Sequence, residues 1–389
     1  MTCLITGRND NRRHHGIQKS CMTRPVALVL GPSLRAMSGV TTHVNSLLGS
    51  QLGQTYRLIH FQVGSEGRDE SRFGKLARLA ASPFALAAAI LRHEASIVHV
   101  NSALNAKGWW RDLAYLIVAK LCGARVVFQK HGGDLGRFTA SPGFAIFVRR
   151  MLKLADCLVV LSQHDLRAYQ ALVPGRHVAA VPNGIDPAPY LKYRRRRADL
   201  SAPLTLLYIG RLAEGKGLAE SLEALALVRA EAGSPRLVIA GSGSEEARLR
   251  SRVRELDLGQ QVSFAGPAWG EYKMKLLSDA DVLLLPSYSE DLPYALLEGM
   301  AAGVVPIVTP VGAIPDVVGD GVHGLFVPVK DPRSIAQAIK SLHADRSQLA
   351  RMSQACRGRI ASAYSLERVA EDFIALYSAL LPWPASQAG

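Results

Sequence analysis

The chain has 389 residues, 48% of them hydrophobic and 20% charged, with a formal net charge of +14. That composition excludes a disordered, collagen-like or coiled-coil chain, and a prior of roughly 150 residues per domain favours two domains. The charge is one-sided: residues 1–182 hold 23 Lys and Arg against 9 Asp and Glu, whereas residues 183–389 hold 23 of each.

Such a field favours a polyanionic partner: nucleic acid, anionic lipid headgroups or a phosphorylated substrate. Aromatic residues are only 6% of the chain, thin for a protein that stacks bases. Residues 1–22 are polar and basic (NDNRRHHG) and lack the apolar stretch of a secretory signal. They read as a disordered tail or as an upstream start ahead of Met22. Five cysteines, an odd number with no CxxC, argue against a disulfide framework or zinc site and for a reducing, cytoplasmic compartment.

Short runs rich in Val, Ile and Leu then alternate with longer helical stretches. In the first half they are PVALVLG, YRLIHFQV, SIVHVNS, RVVFQKH, CLVVLS and HVAAVPN. In the second they are TLLYIG, PRLVIAG, QVSFAG, ADVLLLPS, VVPIVTP and GLFVPV. The runs are continuously apolar rather than alternating, the signature of parallel strands covered by helices on both faces. Two series of this kind predict an α/β protein of two doubly wound, Rossmann-like domains facing each other across a cleft. The first should cover 23–182 and the second 203–365, joined by a Pro, Gly and Arg-rich linker over 183–202. A last amphipathic helix, 366–381, has no strand to follow and should pack back on the first domain.

Between the second and third runs lies RDESRFGKLARLAASPFALAAAILRH. Its longest apolar run, Leu79 to Leu91, holds Ser82 and Pro83 and falls short of the ~18 residues needed to span a bilayer. With Trp109, Trp110 and Arg111 nearby, the segment reads either as an ordinary helix pair or as a segment lying on an anionic membrane.

The first loop of the second half, GRLAEGKG over 210–217, is a near miss of the P-loop pattern GxxxxGK[ST]. Gly217 stands where a hydroxyl would ligate Mg²⁺, which argues against a nucleotide hydrolase. Arg211 and Lys216 after a strand remain well placed to hold a diphosphate. Farther on, LLLPSYSEDLPYALLEGM puts Glu290 in a loop, Pro293 at a helix start and Glu298 inside that helix. The rise from Pro293 to Glu298, roughly 7–8 Å, suits a bound nucleotide diphosphate. One carboxylate could then take sugar hydroxyls and the other a ribose. With Leu296, Leu297 and Met300 beside it, a charge at Glu298 needs a partner.

The segment EDLPYALLE, Glu290 to Glu298, resembles the E-x7-E motif of glycosyltransferase family 4, retaining nucleotide-sugar-dependent enzymes with the GT-B fold. The order of motifs around it is similar too: MSGVTTHVNSLL, HGGD, VPNGID, GRLAEGKG, IAGSGSEEARL, FAGP, E-x7-E, VGAIPDVV and GVHGLFVPV. The resemblance runs from about Val26 to Tyr377. It implies that Arg211 and Lys216 neutralise the donor diphosphate, that Glu298 binds the donor ribose and that Glu290 faces the transferred sugar. The amides of Leu292 and Tyr294 would contact the sugar, Gly39 would approach the diphosphate, and His131 would lie near the anomeric centre. It further implies front-face transfer with retention, in which the leaving phosphate takes the acceptor proton.

The motif order departs from the family's pattern at Ser38-Gly39-Val40, Val311-Gly312 and the single histidine of His99–Asn101; none of these removes a charge that the chemistry needs. Asp279-Ala280-Asp281 spells a metal-binding pattern of another fold, but it ends a helix and opens a strand. A structural role is expected, with no metal and no cofactor besides the donor. His43 and His99 are expected to pack rather than ligate, and Asp134 could orient His131.

The expected partners are a nucleotide-sugar donor, a glycan or polyprenyl-diphosphate-linked acceptor and an anionic membrane at the inner face of the cytoplasmic membrane, with no nucleic acid. The expected setting is exopolysaccharide, O-antigen or other surface-polysaccharide assembly. The alternatives are a sugar-nucleotide epimerase, which needs acid/base carboxylates at the sugar, and a basic nucleic-acid-binding protein. Few aromatics and the neutral charge of the half that carries the strongest loops count against the latter.

Overall fold

The structure is a computed structural model that describes residues 24–192, 202–229 and 234–381, less the single positions 67, 69, 105 and 134. The segment 1–22, the Arg194–Arg197 run and Asp134 therefore lie outside the described residues.

All twelve apolar runs are strands. The first sheet holds β1 (Val26–Gly31), β2 (Arg57–Gln62), β3 (Ile97–Ser102), β4 (Arg125–Lys130), β5 (Cys157–Val160) and β6 (His177–Ala180). The second holds β7 (Thr205–Ile209), β8 (Arg236–Ala240), β9 (Val262–Gly266), β10 (Val282–Leu285), β11 (Val305–Val308) and β12 (Leu325–Phe326). The orders are β2-β1-β3-β4-β5-β6 and β12-β11-β10-β7-β8-β9, and every pairing is parallel. The second is the order of a dinucleotide-binding sheet. The inner strands β3, β5, β10 and β11 are buried along their whole length, which is why they read as unbroken apolar runs.

The helix Leu366–Leu380 lays Val369, Phe373 and Tyr377 against Ala27, Ile97, Val127 and Val159 of the first sheet. The chain thus crosses between the domains twice, and the two crossings lie side by side. Ile185 N donates to Tyr364 O at 3.0 Å and Leu366 N to Ile185 O at 2.8 Å. Gly184 sits where an added Cβ would lie 2.7 Å from Val369 Cγ2.

The segment between β2 and β3, with Ser82 and Pro83 inside it, forms one continuous helix of 22 residues, Arg72–His93. Proline removes one backbone donor from a helix, here the one that would meet Leu79 O. The Ser82 hydroxyl donates to that carbonyl instead, at 3.1 Å. The helix is long and apolar enough to cross a membrane by length and composition, the one such helix among the described residues.

Asp281 sits just before β10, where its carboxylate accepts from Thr205 N at 2.9 Å. The second aspartate of the DxD-like pattern is thereby tied to the amino end of the sheet.

Candidate active site

Open α/β sheets bind ligands at the carboxyl ends of strands, where the strand order reverses. In the first sheet that point lies between β1 and β3, in the second between β7 and β10. The loops after these strands carry the residues that the sequence singles out, and they meet across the cleft. A Cβ on Gly39, at the start of the helix that follows β1, would lie 3.8 Å from the ring of Tyr294, at the start of the helix that follows β10.

The Gly-rich loop after β7 is held tightly. Gly217 has φ +71, and a Cβ there would lie 2.1 Å from Pro286 O. No Ser or Thr fits at this position, which explains the departure from the P-loop pattern. Lys216 Nζ is 2.6 Å from Glu290 Oε1, and both side chains are mostly buried. Arg211 is exposed, and its guanidinium makes no hydrogen bond or ion pair among the described residues. A lysine already paired with a carboxylate, beside an uncommitted arginine, can exchange its partner for a phosphate.

A cavity of about 680 Å³ opens on the outer flank of this loop, lined among others by Glu214, Lys216, Glu220, Arg248, Tyr288 and Lys330. It reaches neither Glu290 nor Glu298, so the cavity alone does not outline the site.

Glu298 lies in the helix Tyr294–Ala302 and is buried. Its partner is Lys273, whose Nζ is 2.6 Å from Oε1. The Tyr190 hydroxyl is buried near this carboxylate; burial first, then the charge of Glu298, pushes the tyrosine pKa up. The sequence requires some partner for Glu298 but does not say which. The signal for Lys273 is weak: a lysine in the first turn of the helix Gly270–Asp279, just after FAGP.

The first domain and the start of the linker grip the segment after β10 at three near-successive residues. Lys130 Nζ is 2.5 Å from Asp291 Oδ1 and 2.9 Å from Asp165 Oδ2. Asn183 Nδ2 donates to Leu292 O at 2.8 Å, and the Tyr294 hydroxyl lies 3.5 Å from His43 Nδ1. The amides of Leu292 and Tyr294 find no acceptor among the described residues. Burial acts against the charge of Lys130, but its two carboxylates hold its pKa up.

Behind this grip lies a cluster of histidines. Gln129 Oε1 accepts from His43 Nε2 at 3.0 Å and from His99 Nε2 at 2.9 Å, and the Tyr377 hydroxyl donates to His99 Nδ1 at 2.8 Å. The His131 ring centroid is 4.5 Å from that of His43, and His131 Nε2 donates to Asn101 Oδ1 at 2.7 Å. Burial lowers the pKa of His43 to about 4 and of His99 to about 3, and holds His131 well below its usual value. All three rings are neutral near pH 7. His43 and His99 do pack, but they also connect the cleft to the C-terminal helix, which the sequence does not show.

Two facing Rossmann-like domains, a glycine loop with two cations and a carboxylate pair at the opposed switch points define a glycosyltransferase of the GT-B class. Comparison with known proteins makes this specific. The model described as Glycosyl transferases group 1 matches residues 192–359, and that described as Glycosyltransferase Family 4 matches residues 37–189.

A relative, the amylovoran biosynthesis glycosyltransferase AmsK of Erwinia amylovora, is 27% identical over 315 residues, 78% of this chain and 74% of its own. The putative colanic acid biosynthesis glycosyltransferase WcaL of Escherichia coli is 26% identical over 259 residues, 64% of this chain and 63% of its own. Among solved structures, sucrose-phosphate synthase from Thermosynechococcus elongatus superposes with a TM-score of 0.76 at 20% identity, covering 92% of this chain and 99% of that one. Anabaena HepE in complex with UDP and glucose gives 0.72 at 16% identity, covering 92% and 100%.

The chain is a glycosyltransferase whose second half matches the group 1 model and whose first half matches the family 4 model. These findings carry the transferase reading and none of them favours the epimerase or nucleic-acid alternatives.

Proposed function

We propose that this enzyme moves a hexose from a nucleoside diphosphate to a hydroxyl of a glycan or polyprenyl-diphosphate-linked acceptor, with retention and without a metal, in surface-polysaccharide assembly. The observation that carries the reading is the Lys216–Glu290 pair, 2.6 Å apart, with Arg211 uncommitted beside it. When a donor enters, its diphosphate takes the Lys216 ammonium and the Arg211 guanidinium. Glu290 is released to accept a hydroxyl of the sugar, while Glu298, oriented by Lys273, accepts from the ribose. The amides of Leu292 and Tyr294 face the sugar, and Gly39 lets backbone approach the diphosphate.

The bond between the anomeric carbon and the phosphate oxygen then breaks, with the charge building on the phosphate. Preorganised cations at that position stabilise it as it forms. The acceptor oxygen bonds to the anomeric carbon from the same face, and its proton passes to the departing phosphate. His131, kept neutral by burial, offers a hydrogen bond near that carbon without a competing charge. Two cations at the diphosphate do the work a divalent ion would do. The acidic pattern at Asp279 and Asp281 lies at the opposite, amino end of β10.

Curated relatives are named for amylovoran and colanic acid biosynthesis, and structures of this fold hold UDP, which puts uridine nucleotides first among donors to try.

The test is thermal stabilisation by a panel of nucleoside diphosphates and their sugars, in EDTA and then with Mg²⁺, for the wild type and Lys216→Ala. Stabilisation by one nucleotide in EDTA, lost in the variant, is expected. Stabilisation by none, with or without Mg²⁺, overturns the reading.

A further inference from the structure

We infer that the helix Arg72–His93 is a docking surface for an anionic membrane, lying in the headgroup layer with its outer face in the lipid. The helix buries only Leu86 and Ile90. On the other side, Phe73, Leu76, Ala77, Ala80, Phe84, Ala88 and Leu91 are all exposed. From Phe73 these positions fall at +3, +4, +7, +11, +15 and +18, the spacing of one helical face. The face is about 27 Å long at ~1.5 Å per residue. Phe73 is 87% exposed and Phe84 78%. A soluble surface scatters single apolar residues; a continuous stripe with two aromatic rings marks an interaction site.

Charge names the partner. No Asp or Glu occurs from Arg72 to His93, and Arg72, Lys75 and Arg92 are exposed along the helix. This helix belongs to the half that carries the whole positive excess of the chain. Two such faces set against each other would bring like charges together, so a second copy fits poorly. A span across the bilayer fits no better. The inner face is tied into the first domain by Leu86 and Ile90, and Tyr115 of the helix Ala106–Leu121 donates to Ser82 at 3.0 Å. A cationic helix with an apolar outer stripe, fixed flat on a folded domain, matches an anionic lipid surface.

The placement serves the site. The helix follows the loop after β2, and β2 pairs in register with β1, whose loop leads to Gly39. The amino end of the stripe therefore lies on the cleft edge of the first domain, where a lipid-linked acceptor would arrive. Only this last step rests on the transferase reading.

The test is flotation of the full chain with vesicles of phosphatidylcholine alone and of phosphatidylcholine with phosphatidylglycerol. Wild type should float with the anionic vesicles, less as salt rises. Phe73→Ser with Phe84→Ser should cut bound protein by about tenfold or more, since binding follows the apolar area buried. Arg72→Glu with Lys75→Glu should also weaken it. These side chains are exposed, so the variants should melt with the wild type; where the pair does not, Phe84→Ser alone serves.

Equal flotation of wild type and stripe variant, or no binding to anionic vesicles, overturns the proposal. So does a wild-type dimer, seen by sedimentation, that the same substitutions disperse. Nucleotide stabilisation is read separately: Lys216→Ala should lose it and still float, so failure of one reading leaves the other standing.

Discussion

Lys130 closes the cleft onto Asp291, its ammonium 2.5 Å from one carboxylate oxygen across the domain boundary. The second partner of Lys130, Asp165, belongs to its own domain. The lysine therefore stays paired when the domains part, and only Asp291 returns to water. The contact works as a latch that holds the loop after β10 against the first domain. Lys130→Met would leave two carboxylates facing each other. A fully buried pair that loses one member costs about 3–5 kcal/mol. Here opening of the cleft relieves part of this, and about 1–3 kcal/mol is expected. Turnover should fall more than nucleotide affinity, and small-angle scattering should show a larger radius of gyration. Unchanged scattering and turnover would remove the latch.

The two glutamates of the E-x7-E segment should separate in experiment. Glu298 is held by Lys273, away from the Lys216–Glu290 pair. Glu298→Gln should weaken the nucleoside diphosphate and the nucleotide sugar alike, because both carry the ribose. Glu290→Gln should leave the diphosphate bound as tightly as before, or tighter because Lys216 is freed, while transfer falls. Ligand at 100 times its dissociation constant stabilises by about 2.7 kcal/mol, so calorimetry or thermal shift can rank all four combinations. Equal loss of diphosphate binding in both variants would contradict the assignment.

How much of this was legible depends on whether a feature is local in sequence. The twelve strands were, because parallel strands covered on both faces are apolar at every position, and β3, β5, β10 and β11 are buried throughout. The glycine loop and the two glutamates were, because each motif fits within one loop and its flanking helix. Lys130–Asp291 was not: its members are 161 residues apart, and nothing near either announces the other. Gln129 reads as one more strand residue, although its carbonyl oxygen joins His43 to His99. The continuous helix through Pro83 was hidden because its rescue depends on where the Ser82 hydroxyl turns.

The double crossing between the domains depends on one glycine. A Cβ on Gly184 would lie 2.7 Å from Val369 Cγ2 and 3.1 Å from Ser365 O. Neither neighbour can move freely, since Val369 is buried in the core under the C-terminal helix and Leu366 N is bonded back to Ile185 O. Gly184→Ala should cost about 1–3 kcal/mol by overpacking, read as a lower denaturation midpoint. Val369→Ala in the same chain makes room and should recover part of the loss. If the double variant is no more stable than the sum of the singles predicts, the strain lies elsewhere.

The histidine cluster predicts an acid limb to stability. His43 has its pKa lowered to about 4 by burial and His99 to about 3, against 6.5 for a free ring. Between those values the unfolded chain binds protons that the folded chain refuses, so stability rises with pH across the interval. The contribution is complete above pH 6.5 and is lost as pH falls towards 4 for His43 and towards 3 for His99. For His43 alone it amounts to roughly 3 kcal/mol. Denaturant unfolding at successive pH values should be flat near neutrality and then fall steeply under mild acid. His43→Gln removes one titrating ring while keeping a polar group beside Gln129. It should lower stability at neutral pH and make the acid limb shallower. An acid limb of unchanged slope in that variant would place the titrating groups outside the cluster. A shallower one would tie the acid sensitivity of the fold to the ring that touches Tyr294 at the cleft.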